Sequence, residues 1–200
     1  ENSPRLDYPD QLLYFKFLMS EVFQSWNPPK GSKFFLAEFD RKISGEDCLR
    51  WTDERGTTSL RELSNWLNMV ATPPNRKQVL ENRRPESRLA LFEAVQFAAD
   101  QSRENRRQAL VLLSRENSDS FVASPTPLEI ITAARANDVA VYSISAPMPE
   151  ESRWQRYRPE IHEVADKTFG DEMSAAEGEY AIANFLDQIR SNHAGIRRLI

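Results

Sequence analysis

The chain has 200 residues, and a domain of this size buries about 70% of the surface of its unfolded chain, enough to fold without disulfide or metal support. Apolar residues make up 40% and charged residues 28%, which is typical of a globular protein and excludes wholesale disorder or a fibre. A net charge of −4 disfavours global nucleic-acid binding, and the lone Cys48 excludes an internal disulfide. No apolar stretch approaches the roughly 20 residues that crossing a bilayer requires.

The first half of the chain predicts helices that alternate with short strands. The expected elements are a helix over 9–26, strands over 33–40 and 47–52, a helix over 58–70 and a surface connection over 71–88. Helical spacing gives the first helix a broad apolar face that includes Leu13 and Phe17. The turn at Ser44 and Gly45 predicts that the two strands pair antiparallel.

The second half continues the alternation. The expected elements are a helix over 89–102, a strand over 109–114, a helix over 126–137, a strand over 139–145, an irregular stretch over 147–159, a helix over 160–168, a strand over 173–176 and a helix over 178–192. The strands at 109–114 and 139–145 are continuous apolar runs, which is typical of parallel strands covered on both faces. The last helix is expected to face inward through Tyr180 and Ile182, and 195–200 is either a last strand or a cut end.

Strands separated by helices of about 10–15 residues predict right-handed βαβ units. The fold class expected for residues 1–200 is therefore a single α/β domain with a doubly wound, mostly parallel sheet, helices on both faces and one antiparallel edge strand. In such sheets, ligands bind at the carboxyl ends of the strands. The segments that follow Ser114 and Ser145 are thus candidate functional loops.

Several segments, in this order, resemble a von Willebrand factor A-type domain of the bacterial, often secreted, A-domain-related family. The matching segments are 33–40, the helix start at 89–95, the strand at 108–114, residues 133–145 and the tail around 161–170. The resemblance covers nearly the whole chain. It implies a Rossmann-like fold, a protein as the binding partner, and a secreted or periplasmic location.

The family binds Mg²⁺ at a metal-ion-dependent adhesion site made of an Asp-x-Ser-x-Ser motif, a threonine and an aspartate, because Mg²⁺ prefers oxygen ligands. In this chain Glu1, Ser3 and Arg5 stand at the first motif, Leu89 at the threonine and Arg115 at the aspartate. Two cations beside a divalent ion would repel it. The site is therefore expected to be degenerate and to hold no metal, and no cofactor is expected.

Two alternatives stay open at that site. Arg5 or Arg115 either pairs with Glu1, replacing the metal with a salt bridge, or points into water. The resemblance also places a central strand directly before the first motif, so we expect the sheet to lack that strand or to fill its position with 195–200 or another segment.

Trp154 and Tyr157, among three arginines, form the most interface-like patch, because aromatic residues and arginine dominate binding hot spots; packing of Trp154 in the core is the alternative. We expect a non-enzymatic protein-binding or scaffold domain. The alternatives are a hydrolase-like enzyme that uses Ser114 with nearby acids, and a structural module of a larger envelope protein. The sequence leaves the partner and the oligomeric state open.

Overall fold

A computed structural model of the chain describes residues 8–39, 49–69, 87–101, 108–114, 125–145, 159–174 and 178–194. In chain order the elements within these ranges are α1 (Tyr8–Ser25), β1 (Ala37–Phe39), β2 (Leu49–Trp51), α2 (Leu60–Met69), α3 (Ser87–Gln101), β3 (Gln108–Ser114), α4 (Pro127–Ala136), β4 (Val139–Ser145), α5 (Pro159–Lys167), β5 (Glu172–Ser174) and α6 (Glu179–Ala194).

Strands β3, β4 and β5 form a parallel sheet with β4 in the centre. Helix α4 connects β3 to β4, and α5 connects β4 to β5. Parallel pairing requires such crossovers, because the chain must return to the same end of the sheet before the next strand begins. The predicted α/β character is therefore confirmed.

Two apolar clusters cover opposite faces of β4. Successive strand residues point to opposite faces, so Tyr142 and Ile144 face one helix layer while Val139 and Val141 face the other. The first cluster joins β4 to α1, α2 and α6, and the second joins it to α3, α4 and α5. The first six residues of β4 are buried, as the apolar run predicts.

Strand β3 is less covered than β4, although its sequence is similarly apolar. Leu112 is buried, but its neighbours Val111 and Leu113 are only half-buried and Ala109 is exposed. In the described part of the chain β3 has one strand neighbour, β4. The predicted full burial thus holds for β4 and only partly for β3.

The connection from α5 to β5 is fitted closely to β4. The Thr168 hydroxyl accepts the N–H of Val141 at 3.0 Å and donates to the carbonyl of Val164 at 2.8 Å. Pairing with β5 starts only at Ser143, so this buried hydroxyl takes the place of a strand beside Val141. At Gly170 a Cβ would lie 1.7 Å from the Val141 carbonyl oxygen, and therefore only glycine fits there.

Strands β1 and β2 form a separate antiparallel ladder, as the turn signals predict, and both are shorter than expected. Upstream of β1 the chain makes an isolated bridge between Phe34 and Thr57. The hairpin contacts α3 through Trp51, whose ring stacks on that of Phe97 at 3.8 Å.

Helix α1 buries a narrower face than the sequence predicts. Leu13 and Phe17 are 51% and 58% exposed, because they lie on the side of the helix opposite the buried Leu18 and Val22. Lys16 occupies the buried side instead, with 5% exposure.

Tyr180 is a second correction, since it is 81% exposed rather than directed inward. It lies in the first turn of α6, ahead of the residues of that helix that contact the sheet.

Helix α3 begins two residues earlier than predicted, at Ser87. The segment 195–200 and most of 71–88 and 147–159 lie outside the described residues.

Candidate functional site

Six of the residues that the sequence singles out lie outside the described part of the chain: Glu1, Ser3, Arg5, Arg115, Trp154 and Tyr157. Leu89, which stands at the threonine position, is half-buried in the first turn of α3. Because α3 packs on β3 and ends shortly before that strand begins, its first turn lies toward the end of the sheet at which the strands finish. We call that end the carboxyl edge.

Serines occupy the last position of all three parallel strands. Ser114 is in register with Ser145, and Ser145 is in register with Ser174. Neighbouring strands lie about 4.8 Å apart, so these positions form a short row across the carboxyl edge. We call Ser114, Ser145 and Ser174 the serine row.

The two serines whose side chains are described, Ser145 and Ser174, are half-buried. The Ser145 hydroxyl donates to the carbonyl of Met173 on the neighbouring strand at 3.3 Å. A hydroxyl carries one donor and two acceptor positions, so Ser145 retains acceptor capacity toward a ligand while this bond holds its orientation.

Helix α4 begins at the carboxyl edge with a capping box. The Thr126 hydroxyl accepts the N–H of Glu129 at 3.3 Å, and the Glu129 carboxylate accepts the Thr126 N–H at 2.6 Å. The Thr126 N–H, and after it the Thr126 hydroxyl, which donates to the same carboxylate at 2.9 Å, lower the pKa of the Glu129 carboxyl. Leu128, which lies in the first turn of α4, is 71% exposed.

Helix α6 begins at the same edge, five residues after Ser174. Gly178 has a φ of +88°, a left-handed conformation that favours glycine, and it turns the chain from β5 into the helix. Glu179 and Tyr180 follow in the first turn, and both are exposed. Helix α6 packs on one face of the sheet through residues such as Ile182, and α4 packs on the other through residues such as Ile130.

The histidines in the described ranges make contacts elsewhere. The Nδ1 of His162 lies 3.4 Å from the Glu172 carboxylate, and the Nε2 of His193 lies 3.3 Å from the Tyr142 hydroxyl. Among the described residues, no three His, Cys, Asp or Glu side chains converge in a group that could hold a metal ion.

The carboxyl edge therefore carries a row of serines, and two of the helices that begin there expose an apolar side chain in their first turn. Sequence reasoning singled out Ser114 and located the carboxyl edge, but it missed Ser145, Ser174, Leu128 and Tyr180. The sequence does show that three predicted strands contain a serine at or near their ends. Only the pairing of the strands shows that these serines are in register.

No protein-family model matches the chain, and no curated protein matches it. A solved structure that resembles it is the crystal structure of an uncharacterized membrane-spanning protein from Vibrio fischeri. The two are 16% identical over 96% of this chain and 90% of that chain, with a TM-score of 0.35, and a likeness this weak carries no argument. Among the described helices of this chain, none has both the length and the apolar character that a bilayer crossing needs.

Proposed function

We propose that this chain is a non-enzymatic protein-binding or scaffold domain of von Willebrand factor A type that has lost the metal site of that family. The observation that carries the proposal is the composition of the carboxyl edge. The serine row lies there, Leu128 and Tyr180 are exposed in the first turns of α4 and α6, and the carboxylate of Glu129 is engaged in a helix cap. Such a surface recognises a partner by direct contact.

The family resemblance further implies a doubly wound sheet, which is part of the proposal. Helix layers on both faces of β4 support it. The described strands form two ladders, β1–β2 and β3–β4–β5. One further strand between β1 and β3, from whichever segment, would join them into the continuous sheet of the family. A secreted or periplasmic location rests on the resemblance alone.

The contacts of the two imidazoles favour binding over hydrolysis. A hydrolase that used Ser114 as the nucleophile would need a general base within hydrogen-bond reach. His162 contacts Glu172 and His193 contacts Tyr142, so neither ring is directed to the serine row by its described contacts. A purely structural module of an envelope protein would need no exposed recognition groups at this edge.

The test is a selection of peptides from a random display library against the immobilised protein, carried out in EDTA. The enriched peptides are then synthesised, and the affinity of each is measured once in EDTA and once in about 5 mM Mg²⁺. We expect peptides that bind in EDTA with affinities unchanged by Mg²⁺, because direct contacts do not involve a metal bridge.

Three results would contradict this function. Binding that requires Mg²⁺ would show that the metal site is retained. Cleavage of the enriched peptides, followed by mass spectrometry, would favour the hydrolase. Failure to enrich any peptide would favour the structural module.

A further inference from the structure

The outer edge of β2 is the side of the strand that faces away from β1. In the described part of the chain β1 is the single strand neighbour of β2, so β2 is an edge strand there. The backbone N–H and C=O groups of an edge strand can pair with an extended strand of another molecule, and native proteins protect their edges against such pairing. The contacts of β2 therefore indicate how this chain protects its own edge.

The hydrogen bonds of the β1–β2 hairpin determine which backbone groups point to the outer edge. The Thr52 N–H donates to the Leu36 carbonyl at 2.9 Å, so the backbone of Thr52 faces the β1 side. Along an antiparallel pair, residues whose backbone groups face the partner strand alternate with residues whose groups face away. Leu49 and Trp51 therefore direct their N–H and C=O groups to the outer edge.

A carboxylate of α3 accepts the first of these outward N–H groups. The Leu49 N–H donates to the Oε2 atom of Glu93 at 3.1 Å, and both residues are half-buried. Hydrogen bonds that a carboxylate accepts are stronger than those between neutral groups. The donor that a pairing strand would need at Leu49 is thus already occupied by a side chain of the same molecule.

Phe97 fixes α3 beside the strand one helical turn after Glu93. Its ring stacks on that of Trp51 at 3.8 Å between ring centres, and it lies 5.2 Å from the ring of Phe35. Residues four positions apart lie on the same face of a helix. Helix α3 therefore contacts β2 at two successive turns, once at the strand backbone and once at a side-chain ring.

The negative charge of Glu93 also opposes pairing at this edge. A strand that paired with β2 would direct a carbonyl oxygen, which carries partial negative charge, at the Leu49 N–H. With the carboxylate in place, that oxygen meets a like charge instead of a donor. Charged side chains are one of the means by which native proteins prevent edge-to-edge pairing of strands.

We propose that Glu93 is an autoinhibitory cap on the outer edge of β2, and that the contact it prevents is pairing of this edge with the same edge of a second copy of the chain. Every copy carries an identical edge. Two copies of β2 that pair about a two-fold axis run antiparallel, so each supplies a carbonyl to the Leu49 N–H of the other. Self-association through β2 does not involve the carboxyl edge, and the cap is therefore independent of the proposed function.

Amide exchange in the parent chain tests the cap without any substitution. Leu49 and Trp51 both face the outer edge, but within the described ranges only the Leu49 N–H has an acceptor there. After correction for intrinsic rates, we expect the Leu49 amide to exchange at least about tenfold more slowly than the Trp51 amide, because one hydrogen bond is worth about that factor. NMR measures both rates, and equal rates would overturn the cap.

Removal of the carboxylate tests what the cap prevents. Glu93→Ala leaves the Leu49 N–H without this acceptor, and Asp100→Ala is the matched control, because it removes an exposed carboxylate from the same helix. We expect Glu93→Ala to lower the dimer dissociation constant at least about tenfold relative to the parent chain, and Asp100→Ala to change it by less than about twofold. Sedimentation velocity over a concentration series measures both constants.

A second substitution assigns the association to β2. Proline is tolerated at the first residue of an edge strand, and Leu49→Pro removes the outward N–H while leaving the hydrogen bonds to β1 in place. Added to Glu93→Ala, Leu49→Pro should return the dissociation constant to within about twofold of the parent value. Circular dichroism confirms that each variant is folded.

Two outcomes of the substitutions would overturn the proposal. A folded Glu93→Ala variant that associates no more strongly than the parent chain would show that the cap prevents nothing. Association that persists after Leu49→Pro is added would place the contact on another surface. Neither outcome bears on peptide binding in EDTA, which tests the proposed function separately.

Discussion

The parallel sheet and the β1–β2 hairpin are stabilised in different ways. Strand β4 is buried between two helix layers, so its folding is coupled to that of every helix around it. The hairpin has two strands of three residues, and it contacts α3 through ring contacts and a 3.1 Å hydrogen bond from the Leu49 N–H to the Glu93 carboxylate. Regions with few buried contacts open at lower free energy than the core. The hairpin is therefore expected to open before the parallel sheet does.

The largest effect is expected at the close approach of Gly170 to β4. Gly170→Ala places a methyl group against the Val141 carbonyl, and it should destabilise the protein by more than about 3 kcal/mol, beyond the usual cost of overpacking. Gly178→Ala is the matched control, because its Cβ would meet nothing within 4 Å and only the left-handed backbone costs about 1–2 kcal/mol. Urea denaturation measures both, and equal losses would show that β4 and the α5–β5 connection are not closely fitted.

The buried hydroxyl of Thr168 should have the next largest effect. Thr168→Val keeps the shape of the side chain but leaves the Val141 N–H unpaired, which should cost about 1–3 kcal/mol. The exposed Thr132 donates its hydroxyl to the Leu128 carbonyl at 2.7 Å, so Thr132→Val is the control and should change the unfolding free energy by less than about 0.5 kcal/mol. Equal effects of the two variants would mean that burial of Thr168 adds nothing.

The aromatic contacts of the two regions provide the sharpest comparison. Phe97→Leu removes the stack on Trp51, worth about 0.5–1.5 kcal/mol beyond its area, and should speed amide exchange in β1 and β2 with little change in β4. Phe185→Leu removes the edge contact with the buried Tyr142, at 5.9 Å between ring centres. This control should speed exchange throughout the sheet.

Hydrogen exchange followed by NMR distinguishes these patterns. If Phe97→Leu accelerated exchange in β4 as much as in the hairpin, the two regions would unfold together, and the difference drawn between them would be wrong.

The smallest effect concerns Lys16. Burial lowers the pKa of its amine from 10.5, and the nearby Glu38 carboxylate opposes that shift only in part. Between the lowered pKa and 10.5 the unfolded chain binds more protons than the folded chain, so the free energy of unfolding should rise with pH across that window. Lys16→Met should remove this rise, as measured by urea denaturation from pH 8 upward.

Lys33→Met is the control, since Lys33 is exposed and lies over the ring of Phe35. If the free energy of unfolding of Lys16→Met rose with pH as much as that of the parent chain, another titrating group would be responsible for the rise.

Local sequence patterns predicted the helices and strands well where helix caps and apolar runs mark their ends. Thr126 and Pro127 mark the start of α4, and apolar runs mark β3 and β4, because caps and strands depend on neighbours in sequence. Predictions of burial failed where they needed the third dimension. Helical spacing alone does not say where the buried face of a helix ends, so it predicts an inward position for Phe17 and Tyr180, both of which are exposed.

The sequence by itself determined the alternation of helices and strands and the antiparallel hairpin. It also indicated the carboxyl edge as the candidate functional site. Only the tertiary structure decided that Ser145 and Ser174 lie side by side, that Thr168 replaces a strand beside Val141, and that Leu128 and Tyr180 are exposed. The reason is physical: strand register and helix packing join residues about 30 positions or more apart, and no local preference of the chain encodes which of them will meet.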